Sequence, residues 1–133
     1  MPHFIMEYSA NLDDDLDIPA LFEALNETAI ATGVFPIGGI RTRAVRCEHY
    51  RIAEGDPDNT FVHLTAKVGS GREPEVLKAA ADKVFETFTQ QLQPVFDRRY
   101  MSIGFELTEL HPTLNYRQNN IHQKLAAKKE SVS

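Results

Sequence analysis

Apolar positions recur with two different periods along the chain, and the switches between them mark out six elements. The run His3-Phe4-Ile5-Met6-Glu7-Tyr8 carries apolar groups on both alternating faces, the pattern of a strand covered on both sides. Ser9 through Asp17 is polar and acidic and reads as a loop. Ile18, Leu21, Phe22, Leu25 and Ala29 then recur at helical spacing. With Asp17 as N-cap, Pro19 in the first turn and Gly33 as the stop, they predict a helix of about four turns. Phe35-Pro36-Ile37-Gly38-Gly39 is a turn, and it leads into an extended segment from Ile40 to Ala53. Arg41, Arg43, Val45, Cys47, His49 and Arg51 share one face of that segment.

Glu54-Gly55-Asp56-Pro57-Asp58-Asn59 is the strongest turn signal in the chain. Phe61 to Val68 is a strand, closed by Gly69-Ser70-Gly71-Arg72. Pro74 opens a second helix whose stripe is Leu77, Ala80, Ala81, Val84, Phe85, Phe88 and Leu92, and Pro94 is expected to end or kink it. Tyr100 to Glu109 alternates again as a strand. Leu110 to Tyr116 reads as extended and Arg117 to His122 as a short turn or helix, with apolar anchors suited to reaching over a neighbouring subunit. The domain is expected over residues 2–122, with a flexible tail over 123–133.

The order strand-helix-strand therefore occurs twice, as a repeat of elements rather than of residues. Strands joined through a helix run parallel. Two such units predict an α+β fold, a four-stranded mixed sheet with two helices on one face. No third helix is expected to cover the other face, which makes oligomerisation the natural way to bury it.

Composition narrows the function classes. The 133 residues are 42% hydrophobic and 25% charged, ordinary for one globular domain able to build a core without staples. A net charge of −5 argues against nucleic acid as a partner, although it leaves room for a local arginine cluster facing an anion. One cysteine, Cys47, excludes an internal disulfide and any multi-cysteine metal site. No signal peptide or membrane-length apolar run is visible, so a cytoplasmic protein with no membrane partner is expected.

The candidate chemistry begins at Pro2. Methionine aminopeptidase removes Met1 when the next residue is small, and proline then carries a free secondary amine. Followed at once by an inner strand, that amine would sit beside the core. Burial and nearby arginines would disfavour its charged form and bring it towards the working range of a general base. If Met1 stayed, the Pro2 nitrogen would be an amide and this chemistry would be off. Arg41 follows a glycine turn and projects from a strand, Arg43 lies on the same face, and Arg72 closes a glycine-rich loop where a helix begins. Taken alone, Gly-Ser-Gly-Arg reads as an ordinary turn. Arg98-Arg99 suits a solvated pair. His3, His63 and His111 sit in strand-like apolar contexts that suit hydrogen-bonded structural roles, and His49 and His122 are expected to face solvent. Asp13, Asp14 and Asp15 lack the further spaced ligands and glycine of a calcium loop. No His-Glu-x-x-His spacing or nucleophile elbow is present, which disfavours metal catalysis and hydrolysis.

Four stretches in order, Pro2 with its strand, Phe35 to Arg43, Phe61 to Thr65 with Gly69 to Arg72, and Glu109 to Asn120, are specific together. From Pro2 to about His122 the chain resembles the 5-carboxymethyl-2-hydroxymuconate Delta-isomerase family of the tautomerase superfamily. The resemblance implies a homotrimer, no metal or organic cofactor, and a small-molecule dicarboxylate or tricarboxylate dienol as substrate. It assigns Pro2 as acid/base and Arg41 and Arg72 as anion-binding, activating residues, with Arg43 a further candidate from its strand face. It places pockets where the first strand meets a neighbouring subunit. On this reading Arg72→Ala costs rate and leaves the fold intact. Two rival readings are another superfamily reaction on an unsaturated acid and a non-catalytic trimeric binding module.

Overall fold

Phe4, Met6 and Tyr8 are buried whereas His3, Ile5 and Glu7 are not, and this alternation sets how strand β1 (His3–Ser9) faces the core. The computed structural model describes residues 2–132, with side chains through Lys129; Met1, on which the maturation expectation turns, and Ser133 lie outside the described residues. β1 is followed by a 3-10 turn (Ala10–Leu12), helix α1 (Ile18–Ala31), a second 3-10 turn (Ile37–Gly39) and strand β2 (Arg41–Cys47). The second half holds β3 (Asn59–Val68), α2 (Pro74–Phe96) and β4 (Tyr100–Glu109), and the chain ends in α3 (Ile121–Val132).

The sheet order is β2-β1-β3-β4. β1 runs parallel to β2 and antiparallel to β3, and β3 runs parallel to β4, so the expected mixed sheet of two β-α-β units is the observed one. Leu21, Leu25 and Ala29 of α1 and Leu77, Ala80, Val84, Phe88, Leu92 and Val95 of α2 join the even-numbered residues of β1 and β3 in a single core, against which the odd-numbered Met101, Ile103, Phe105 and Leu107 of β4 pack. Full burial of a leucine or phenylalanine contributes about 1.5–3 kcal/mol, so this two-layer core is the principal source of stability. Thr28 and Thr87 hydroxyls share a 2.7 Å hydrogen bond where the helices touch, and Asp17 caps α1 by accepting from the Ala20 amide at 3.1 Å.

Four local expectations need correction. β1 is covered on one face only within the chain, because both long helices lie on the same side; Ile5, Phe61 and Thr65 on the other side remain half-buried and Val45 is exposed. β2 ends at Cys47, short of Ala53, because its ladder partner Ser9 is the last residue of β1. α2 continues through Pro94 to Phe96, since the N–H that proline lacks removes only one bond in the last turn. The stretch expected as a flexible tail is helical from Ile121, whose amide donates to Asn119 Oδ1 at 2.6 Å in an N-terminal cap. The end of this segment docks on the chain's own Ile37–Gly39 turn: Asn119 Nδ2 donates to the Gly38 carbonyl at 3.0 Å, and the His122 ring lies against Gly38, while Leu114 and Tyr116 remain exposed.

Candidate active site at one end of the sheet

Strand directions gather the site. His3 lies opposite both Arg41 and Lys67, and Val68 lies opposite Glu109. The starts of β1 and β2 and the ends of β3 and β4 therefore meet at one end of the sheet. Pro2, the Ile37–Gly39 turn, the Gly69–Arg72 loop and His111 all belong to that end.

Pro2 is less than 2% exposed, as expected of a residue opening an inner strand, and its carbonyl accepts from the Arg41 amide at 3.0 Å. Arg41 folds back so that its guanidinium donates to the Gly39 carbonyl at 2.9 Å. Arg72 is held more firmly. It donates to the Gly69 carbonyl at 3.1 Å and to the Val34 carbonyl at 3.0 Å, and its guanidinium carbon lies 5.3 Å from the centre of the Phe35 ring. Its remaining N–H donors meet no hydrogen-bond partner among the described residues. A cavity of about 870 Å³ opens beside it, also lined by Gly39, His111, Asn115, Arg117 and His122. None of the described residues lining it is acidic, in a chain whose net charge is −5. Pro2, Arg41 and Arg43 do not line it within the single chain.

Arg43 sits apart, on the uncovered sheet face, where it donates to His3 Nδ1 at 3.2 Å. Arginine can only donate, so His3 is neutral with its proton on Nε2. Burial first, then the charges of Arg43, Arg41 and Lys67, lower the His3 pKa below the ordinary 6.5. His63 lies on the same face with its ring over Gly104. Arg98 and Arg99 lie at the opposite end of the sheet, where both pair with Asp15, and Arg99 also donates to the Asn11 carbonyl at 3.3 Å. Their part is to tie the first loop to the end of α2. Among the described residues, no three His, Cys, Asp or Glu side chains group as a metal site would require.

His111 was expected to be structural, and it is hydrogen-bonded: Nδ1 accepts from the Thr113 and Leu114 amides at 3.1 and 2.8 Å. It is nonetheless a cavity residue. Arg117, Asn119 and His122 were not singled out as site residues, although the Glu109 to Asn120 stretch stood out as a motif. Their place depends on the docking of α3, for which the sequence carries no periodic signal.

A family model described as 5-carboxymethyl-2-hydroxymuconate isomerase matches residues 2–125. The chain belongs to that family. As an isomerase of the 5-carboxymethyl-2-hydroxymuconate isomerase family, it is 42% identical over 122 residues to the Escherichia coli 5-carboxymethyl-2-hydroxymuconate Delta-isomerase, covering 92% of this chain and 97% of the relative. The crystal structure of a family member from Deinococcus radiodurans R1 is 36% identical, covers 93% of each chain and superposes with a TM-score of 0.87. A fused 4-OT symmetric trimer, 13% identical over 87% of this chain and 90% of its own, shares the fold alone with a TM-score of 0.66. A macrophage migration inhibitory factor-like protein from Entamoeba histolytica, 16% identical over 88% of this chain and 94% of its own, likewise shares the fold alone, with a TM-score of 0.60.

Proposed function

We propose that this chain converts 5-carboxymethyl-2-hydroxymuconate to its unsaturated 2-oxo isomer in aromatic (homoprotocatechuate) catabolism, without a cofactor, using the amine of a mature N-terminal Pro2 as acid and base. What carries the reading is the meeting, at one sheet end, of a buried Pro2 and a carboxylate-free cavity walled by Arg72. The substrate is a dienol with a hydroxyl on carbon 2 and double bonds from carbon 2 to 3 and from 4 to 5. The amine takes the hydroxyl proton and the oxygen becomes a carbonyl. The electron pairs shift to a single 3,4 double bond, and the same proton is delivered to carbon 5. One base serves both ends because no atom is gained or lost.

A neutral amine is needed at the start, and burial beside guanidinium groups disfavours a further positive charge there. The dienolate that develops carries charge spread over the conjugated chain, which a fixed guanidinium stabilises more strongly in a water-poor site than in solvent. Arg72 is braced by two carbonyls and a ring, so it presents donors without reorganising. Arg41 is the second activating cation, adjacent to Pro2 in the ladder.

The uncovered sheet face is best explained by a homotrimer, in which Arg43, His3 and His63 would lie between subunits. Neighbouring chains would then complete the wall of the pocket near Pro2. Among the described residues no helix is long and apolar enough to cross a membrane.

Ultraviolet-monitored turnover of 5-carboxymethyl-2-hydroxymuconate tests the assignment, with protein whose mass shows that Met1 is gone. Rapid loss of dienol absorbance at constant substrate mass is expected. Absence of acceleration over buffer would reject this substrate.

A further inference from the structure

Arg72 accounts for one cation in the cavity and leaves a second one unused. Arg117 lies on the irregular segment between β4 and α3, and its guanidinium makes no hydrogen bond or ion pair with any described residue. The segment itself is pinned on either side. The Leu110 amide donates to the Val68 carbonyl at 2.7 Å, His111 Nδ1 accepts two backbone amides, and Asn119 holds the Gly38 carbonyl. A chain fixed at both ends thus carries an unspent five-donor fork into a cavity with no acidic side chain among its described lining residues, although the Glu109 carboxylate accepts from the amide of the lining residue Gly71 at 3.3 Å.

The substrate has a charge to match. One of its carboxylates adjoins the reacting carbon 2, while the other two, on carbon 6 and on the carboxymethyl branch, lie at the far end. With Arg72 turned to the developing dienolate, a second cation lining the same cavity suits the branch. Resting on the isomerase reading above, we propose that Arg117 binds the carboxymethyl carboxylate and sets the preference for a tricarboxylate over a dicarboxylate dienol. His111 supports it as a neutral neighbour: with Nδ1 accepting, its proton is on Nε2, so it offers a donor and no negative charge.

The test compares kcat/KM on 5-carboxymethyl-2-hydroxymuconate and on 2-hydroxymuconate, the same dienol without the branch. A charge-assisted contact at a partly open site corresponds to about tenfold, so Arg117→Gln should lower the ratio of the two values by about that factor, mainly through KM. Arg117→Lys should recover most of the loss. A ratio that stays within about threefold of the wild type, or an equal loss on both substrates, would overturn the assignment. Wild-type protein inert on both dienols would overturn the isomerase reading, and the inference with it. An independent readout needs no variant: tricarballylate, but not glutarate, should protect Arg117 of the wild-type protein from phenylglyoxal, as read by mass spectrometry. Equal labelling under both additives would contradict the proposal.

Discussion

Replacing Arg72 by alanine removes two guanidinium–carbonyl bonds and the contact with Phe35. The side chain is half-buried, so each charged bond is worth about 1 kcal/mol after solvent screening, with about 0.5 kcal/mol for the ring contact. The sum, about 2.5 kcal/mol, corresponds to a fall of about 10 °C in Tm for a domain of this size. Arg72 is therefore a brace as well as the proposed anion site, and a measurable destabilisation is expected of Arg72→Ala beside the loss of rate. Thermal unfolding of both proteins at one fixed concentration is the assay, because assembly makes Tm concentration-dependent. Arg72→Lys should recover less than half of the loss, since one ammonium cannot span the Gly69 and Val34 carbonyls or lie flat on the ring. Turnover measured well below both transitions should still be reduced in Arg72→Ala. A Tm within about 2 °C of the wild type would show instead that the Gly69–Arg72 loop is held by something else.

Two further outcomes follow from the geometry. A β-carbon on Gly38 would lie 2.5 Å from His122 Nδ1 and 3.1 Å from its Cγ, so Gly38→Ala should lift α3 from the turn and speed tryptic cleavage at Lys124. Adding His122→Ala should relieve the clash and restore much of the protection, whereas additive effects would mean that the two do not touch. His3 has a lowered pKa, so the unfolded chain takes up its proton first as pH falls through 6.5. Its contribution is therefore a stability that rises with pH across that window and is lost on acidification until the folded-state pKa is passed. His3→Gln should flatten that part of the stability profile, and an unchanged slope between pH 5 and about 7 would count against the cluster with Arg43.

Elements governed by local pattern were legible in the sequence. Asp17 and Pro19 marked the start of α1, Gly33 with its φ of +71° supplied the stop, and the alternation of Tyr100 to Glu109 gave β4 its full extent. The end of β2 was not legible because it is set by a partner strand running out at Ser9, a long-range fact with no trace in residues 48–53. Helix α3 was missed for a similar reason: a weakly amphipathic stretch of alanines and lysines owes its place to Asn119 and His122 gripping Gly38. The site was legible where a residue type was itself unusual, as with Pro2 or an arginine beside glycines. It was hidden where the residue was ordinary and the topology was not. Arg117 is one of two cations lining the cavity only because β4 delivers its segment to the Pro2 end of the sheet.

The central claim is that the free amine of Pro2 does the chemistry, and the most direct measurement blocks that amine alone. The kcat of the mature chain should be compared with that of a chain carrying one extra residue before Pro2, in which the same nitrogen is an amide. Equal secondary structure and oligomeric state by circular dichroism and gel filtration would show that the comparison isolates the nitrogen. A loss of at least about 100-fold is expected in the blocked chain, the scale of a missing general acid/base. Equal kcat in the two proteins would contradict it and return Pro2 to the role of an ordinary first residue of an inner strand.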